Sequence, residues 1–73
     1  MFKNKFLSRN DKILDVGCGA GRMLFSLKEN GFDKVLGIDP FLTDTILYKN
    51  GLTILKKTIH ELEDGGFNLI MLN

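Results

Sequence analysis

The residues best placed to do chemistry lie in Asp15-Val16-Gly17-Cys18-Gly19-Ala20-Gly21. Three glycines at alternate positions leave the backbone without β-carbons, so a ligand can approach the amides closely. A short apolar run, Ile13-Leu14, precedes the stretch, and Arg22-Met23-Leu24-Phe25-Ser26-Leu27 after it has helical spacing. A helix starting there points its free N–H groups and positive dipole end at the same spot. The chemistry implied is binding of a small ligand through an anionic or polar group. The bland alternative is a glycine-rich βα turn that holds nothing. Cys18 is the only cysteine, and it lies where backbone rather than side chain would bind, so no nucleophilic role is expected of it. His60 is the only histidine and sits in a polar stretch, where it reads as a solvated loop residue.

The elements that must position these residues come from a chain of 73 residues, enough for one small domain. A domain of this size buries only about 60% of the surface its unfolded chain exposes, so marginal stability is expected. Composition is ordinary for a globular protein, with 44% apolar and 26% charged residues and a formal net charge of +1. That balance offers no argument for a nucleic-acid or membrane surface. Lys3, Lys5, Arg9 and Lys12 make the start mildly basic, as a solvated terminus also would. One cysteine permits no internal disulfide and fits a reducing, cytoplasmic setting. No apolar stretch resembles a signal peptide or approaches a membrane span. No metal site is expected.

Residues 1–10 read as an N-terminal extension, with Asn10-Asp11 as a turn. Lys12–Val16 reads as the first strand. Gly19–Asn30 reads as a helix with Ala20, Met23, Leu24 and Leu27 on one face and Gly31 just past its end. Val35–Ile38 is the second strand, ending at Asp39. Asp39-Pro40 reads as the cap and first residue of a second helix carrying Phe41, Leu42, Ile46 and Leu47. Leu52–Leu55 is a third strand, Lys56–Gly66 a loop with at most one turn, and Phe67–Leu72 a fourth strand. Strands alternating with helices argue for an α/β fold with a doubly wound parallel sheet. The expected order is 3-2-1-4, with two main helices on one face. A ligand then sits where the strand order reverses. Strands this apolar want cover on both faces, and the fourth would be an apolar edge. The chain therefore reads as the first half of a larger domain.

Two glycine fingerprints are distinguishable here. A dinucleotide turn needs Gly-x-Gly-x-x-Gly, but position 22 is Arg22 and the third glycine comes early, at Gly21. No phosphate-binding Gly-x-x-x-x-Gly-Lys-Ser/Thr run occurs. The stretch from Asp15 to Gly21 resembles motif I of class I S-adenosylmethionine-dependent methyltransferases. Gly37-Ile38-Asp39 is similar to that family's acidic motif II, and Phe67-Asn68-Leu69-Ile70-Met71-Leu72-Asn73 to its fourth strand. The resemblance covers residues 11–73. It implies a partial Rossmann-like domain, the cofactor-binding half, with S-adenosyl-L-methionine as cofactor.

The resemblance also implies roles. Gly17 and Gly19 would hold the methionine end, Asp15 would orient it, and Gly21 would allow close helix packing. Asp39 would accept hydrogen bonds from the ribose hydroxyls. Cys18 and Pro40, beside these residues, and Asn73 belong to the same implied set. The family often has an acid after strand three to meet the adenine amino group. Here Thr58 stands in that place, with backbone contacts from Thr58 and Ile59 as the substitute. The reaction implied is in-line methyl transfer, which rests mainly on positioning. No catalytic base is identified. Motif I and Ile38-Asp39-Pro40-Phe41 look more like the branch with small-molecule or glycan acceptors. The alternatives are an amino-group methyltransferase whose Asn-Pro-Pro-aromatic site starts at Asn73, a nicotinamide-dependent oxidoreductase, and a non-catalytic methyltransferase-like module.

Overall fold

Five strands, β1 (Ile13–Val16), β2 (Val35–Ile38), β3 (Ile46–Leu47), β4 (Thr53–Leu55) and β5 (Leu69–Leu72), form one sheet in the order β3-β4-β2-β1-β5. The computed structural model describes residues 7–73, so Phe2, Phe6, Lys3 and Lys5 of the expected extension lie outside the described residues. β1 pairs in parallel with β2 and β5, and β2 in parallel with β4. Asp15 is in register with Gly37 on one side and Met71 on the other. The four expected strands thus take the expected order, and the connection from β4 to β5 carries only a 3₁₀ turn, Ile59–Glu61.

The single α-helix among the described residues, α1 (Arg22–Glu29), starts later than its apolar spacing suggests. Gly17, Gly19 and Gly21 all have positive φ, which a right-handed helix cannot contain, so helical geometry begins only at Arg22. Leu24 and Leu27 pack on the sheet, whereas Met23 is 46% exposed and Ala20 lies in the loop. The expected four-residue face is therefore only half correct. The helix ends as expected, with Gly31 at φ 93°.

The second expected helix does not form. Asp39 spends one carboxylate oxygen on the Phe41 N–H at 2.9 Å, and the chain continues as bends to β3. Thr43, Asp44 and Thr45 are poor helix formers because β-branching and short polar side chains favour other backbone shapes. The Thr45 hydroxyl instead accepts the Lys56 N–H at 3.0 Å. Ile46 and Leu47 pair antiparallel with Ile54 and Thr53, adding an edge strand beside β4. The expectation of two helices on one face is corrected to one helix and an edge hairpin.

The core lies between α1 and the sheet, built on Ile13, Leu24, Val35, Leu52 and Ile54. Each fully buried side chain of this kind stabilises the fold by about 1.5–3 kcal/mol. The opposite face is less bare than expected. Leu14 and Ile38 are buried, and Leu14 lines an open cleft of about 350 Å³ with Ile59, Leu62, Phe67 and Ile70. Lys12 holds that covering loop, donating to Asp64 at 2.6 Å and lying 4.8 Å over the Phe67 ring. Arg9 donates to the Asn30 carbonyl at 2.6 Å and lies over Phe32, so these two basic residues serve the fold. β5 remains an edge, with Ile70 and Leu72 exposed. No helix among the described residues is long and apolar enough to cross a membrane.

Candidate cofactor site

The glycine loop connects the end of β1 to α1, and its conformation demands its glycines. Gly17, Gly19 and Gly21 have φ of 76°, 59° and 76°. Their N–H groups are all used internally. Gly17 donates to the Ile38 carbonyl at 2.8 Å, Gly21 to the Cys18 carbonyl at 3.0 Å, and Gly19 to Asp39 Oδ2 at 2.9 Å. A β-carbon on Gly19 would meet nothing within 4 Å, so open space lies beside the middle of the loop. A β-carbon on Gly21 would sit 2.5 Å from Ile54 Cδ1, so this glycine lets the helix start press against β4. Gly21 thus sits where α1 packs closely on the sheet, while the N–H groups of Gly17 and Gly19 are committed within the chain.

Asp39 is held at the tip of β2 by its N–H, which donates to the Leu55 carbonyl at 2.9 Å. Its side chain is 8% exposed and bridges two segments, taking the Gly19 N–H on one oxygen and the Phe41 N–H on the other. A carboxylate has about four acceptor positions, so each oxygen keeps one. Asp39 and the glycine loop, far apart in sequence, thus form one site at the carboxyl ends of β1 and β2.

Asp15 is 3% exposed and accepts a hydrogen bond from the side-chain amide of Asn73. Burial raises the Asp15 pKa above the ordinary carboxylate value, and the Asn73 bond opposes that rise. Asn73 also donates its side-chain amide to the Val16 carbonyl at 3.1 Å and its backbone N–H to the same carbonyl at 3.0 Å. The end of β5 is thereby fixed against the start of the glycine loop.

A family profile described as a methyltransferase domain matches residues 2–73. The chain belongs to this methyltransferase domain family. Its mostly parallel sheet, with a glycine loop after β1 and an acid after β2, is the class I arrangement. No curated protein and no solved structure matches the chain.

Other residues singled out in this methyltransferase domain fall as follows. Pro40 follows Asp39 directly and is half-buried. Thr58 opens the 3₁₀ turn, and its N–H and hydroxyl both donate to Glu61 Oε1, at 2.8 and 3.2 Å. The Thr58 backbone is thus committed locally, while Ile59 stands exposed beside it. Glu61 was missed by sequence reasoning, although Thr58-Ile59-His60-Glu61 has the spacing of a capping box. His60 is exposed, as expected of a loop residue.

Cys18 packs over Gly37, where an added β-carbon would lie 2.6 Å from its Sγ. Burial first, then the Asp15 carboxylate and more weakly that of Asp39, push the thiol from 9.0 up to about 11. The folded state therefore keeps its proton where the unfolded chain loses it. Stability is expected to fall as pH rises from about 9 to about 11. Alkylation of the native protein should show its inflection near pH 11. Rapid labelling at neutral pH would contradict this placement of the thiol.

Proposed function

We propose that this methyltransferase domain binds S-adenosyl-L-methionine between the glycine loop and Asp39 and serves methyl transfer to a small-molecule or glycan acceptor. The observation that carries the reading is the 2.9 Å hydrogen bond from the Gly19 N–H to Asp39 Oδ2. It joins the two motifs the reading needs into one site. The residues fit the group. Gly19 borders open space, and Asp39 keeps an acceptor position on each oxygen for a ribose diol. The N–H groups of Cys18 and Ala20 have no partner among the described residues and can serve a carboxylate. The Asn73 side-chain oxygen can accept from an ammonium group, with the buried Asp15 orienting it through the Asn73 amide.

When bound, the cofactor supplies an electrophilic methyl group on a sulfonium. The chain's own part is to bind and orient. Asp39 fixes the sugar, the loop fixes the amino-acid end, and the sheet end sets where an acceptor can approach. Positioning of this kind removes much of the barrier to a bimolecular transfer. A general base is needed only where the acceptor must lose a proton. Parallel calorimetric titrations with S-adenosylhomocysteine and NAD test the reading. Binding of the first and not the second is expected; the reverse result would overturn it.

One observation favours a second reading, transfer to an amino group. The Asn73 side-chain nitrogen faces two acceptors, Asp15 and the Val16 carbonyl, which leaves its oxygen to receive an N–H donor. Methylation assays with matched amino and hydroxyl acceptors separate the two. Transfer confined to hydroxyl acceptors would eliminate the amino reading.

A further inference from the structure

We infer that Tyr48 is a positioning residue of this site, clamping the glycine loop through the carbonyl of Ala20. The inference rests on the cofactor reading above and adds a residue that lies outside every motif supporting it. Tyr48 follows β3 and enters the hairpin turn to β4. That turn is tied closely, with Tyr48 N–H on the Leu52 carbonyl at 2.9 Å and Gly51 N–H on the Tyr48 carbonyl at 3.0 Å. Asn50 anchors it to the far end of α1, donating to Glu29 at 2.8 Å. From this base the Tyr48 ring packs edge-on against Phe25, with centroids 5.1 Å apart. Its hydroxyl donates to the Ala20 carbonyl at 2.6 Å.

The Ala20–Gly21 peptide is thus held at both ends. Its carbonyl takes the Tyr48 hydroxyl, and its N–H donates to the Cys18 carbonyl at 3.0 Å. A peptide group is planar, so fixing both ends fixes the plane. The plane joins Ala20 to Gly21, and the glycine on one side, like Gly19 one residue further back, has backbone freedom that the two bonds restrict. The adjoining plane carries the Ala20 N–H, one of the two loop donors with no partner among the described residues. Tyr48 therefore restrains the segment that carries an unpaired donor next to Gly19, where space is open. Preorganisation of this kind strengthens binding by reducing the entropy lost when the ligand arrives. The hairpin that replaces the expected helix is what delivers the hydroxyl.

Tyr48→Phe keeps the ring on Phe25 and removes only the hydroxyl. Affinity for S-adenosylhomocysteine is expected to fall about fivefold, the worth of one net hydrogen bond. Amide exchange at Gly21 should accelerate in the ligand-free protein. Phe25→Leu serves as the control for a merely structural role. It loosens the same packing but keeps the hydroxyl, so it should lower the melting temperature while leaving affinity within about twofold of wild type. Unchanged affinity in Tyr48→Phe, or unchanged exchange at Gly21, would overturn the clamp. Failure of the wild-type protein to bind S-adenosylhomocysteine would overturn the cofactor reading instead. The clamp would then stand or fall on the exchange measurement alone.

Discussion

Asp39→Asn is expected to lower affinity for S-adenosylhomocysteine by roughly 100-fold, because the change strikes the binding group and the loop together. The two Asp39 oxygens each accept a backbone N–H, from Gly19 and from Phe41. An asparagine has one oxygen and one amino group, so one of those N–H groups must face another donor. Hydrogen bonds to charged groups contribute about 1.5–3 kcal/mol, and an unmet buried donor costs about 1–3 kcal/mol. A combined loss of about 3 kcal/mol corresponds to the stated fold-change. The Gly19 amide should also exchange faster in the variant. Calorimetry on the folded variant checks the affinity. A loss below tenfold would show that Asp39 does not carry binding at this site.

The second large effect concerns stability and separates two glycines that look alike in the sequence. Gly21→Ala places a methyl group 2.5 Å from Ile54 Cδ1, at a residue whose φ is 76°. Ile54 is fully buried, and its Cδ1 also lies 2.7 Å from where a Gly37 β-carbon would be, so it has little room to withdraw. The left-handed backbone costs a side chain about 1–2 kcal/mol, and overpacking about 1–3 kcal/mol. Together they remove roughly 2–5 kcal/mol from a fold whose size suggests about 4–11 kcal/mol in all. Gly19→Ala has a similar backbone cost but no steric one, since nothing lies within 4 Å. It should lose only about 1–2 kcal/mol, yet impair ligand binding by placing a methyl in the open space. Denaturant melts of both variants make the comparison. Equal losses would mean that the approach of α1 to β4 is not what Gly21 provides.

Much of this protein was readable from local chemistry. The strand order followed from apolar runs read as alternating with two helices, because right-handed crossovers leave few other arrangements. The order held although the second of those helices is an edge strand. The glycine loop was visible because three alternate residues without β-carbons after an apolar run suit close approach of a ligand, a property of the residue type itself. That all three take positive φ, and so delay the helix to Arg22, came from the structure. Asp39 was visible through the resemblance of Gly37-Ile38-Asp39 to the family's acidic motif II; its local signal alone read as a helix cap. The family match to residues 2–73 agrees with those motifs.

Other features depended on partners distant in the chain. Residues 39–50 carry a helix start signal, but Asp39 spends its second oxygen on Gly19, twenty positions away, and Ile46–Leu47 find β4. Side-chain propensity around Thr43–Thr45 was too weak to resist that pairing. Thr58 turned inward on Glu61 rather than outward, and Tyr48 acquired a role only where the hairpin brought it beside Ala20. Sequence patterns report conformations that one residue and its near neighbours prefer. They are silent about which of two feasible hydrogen-bond partners a side chain meets, since that choice is made when packing sets the distance between segments.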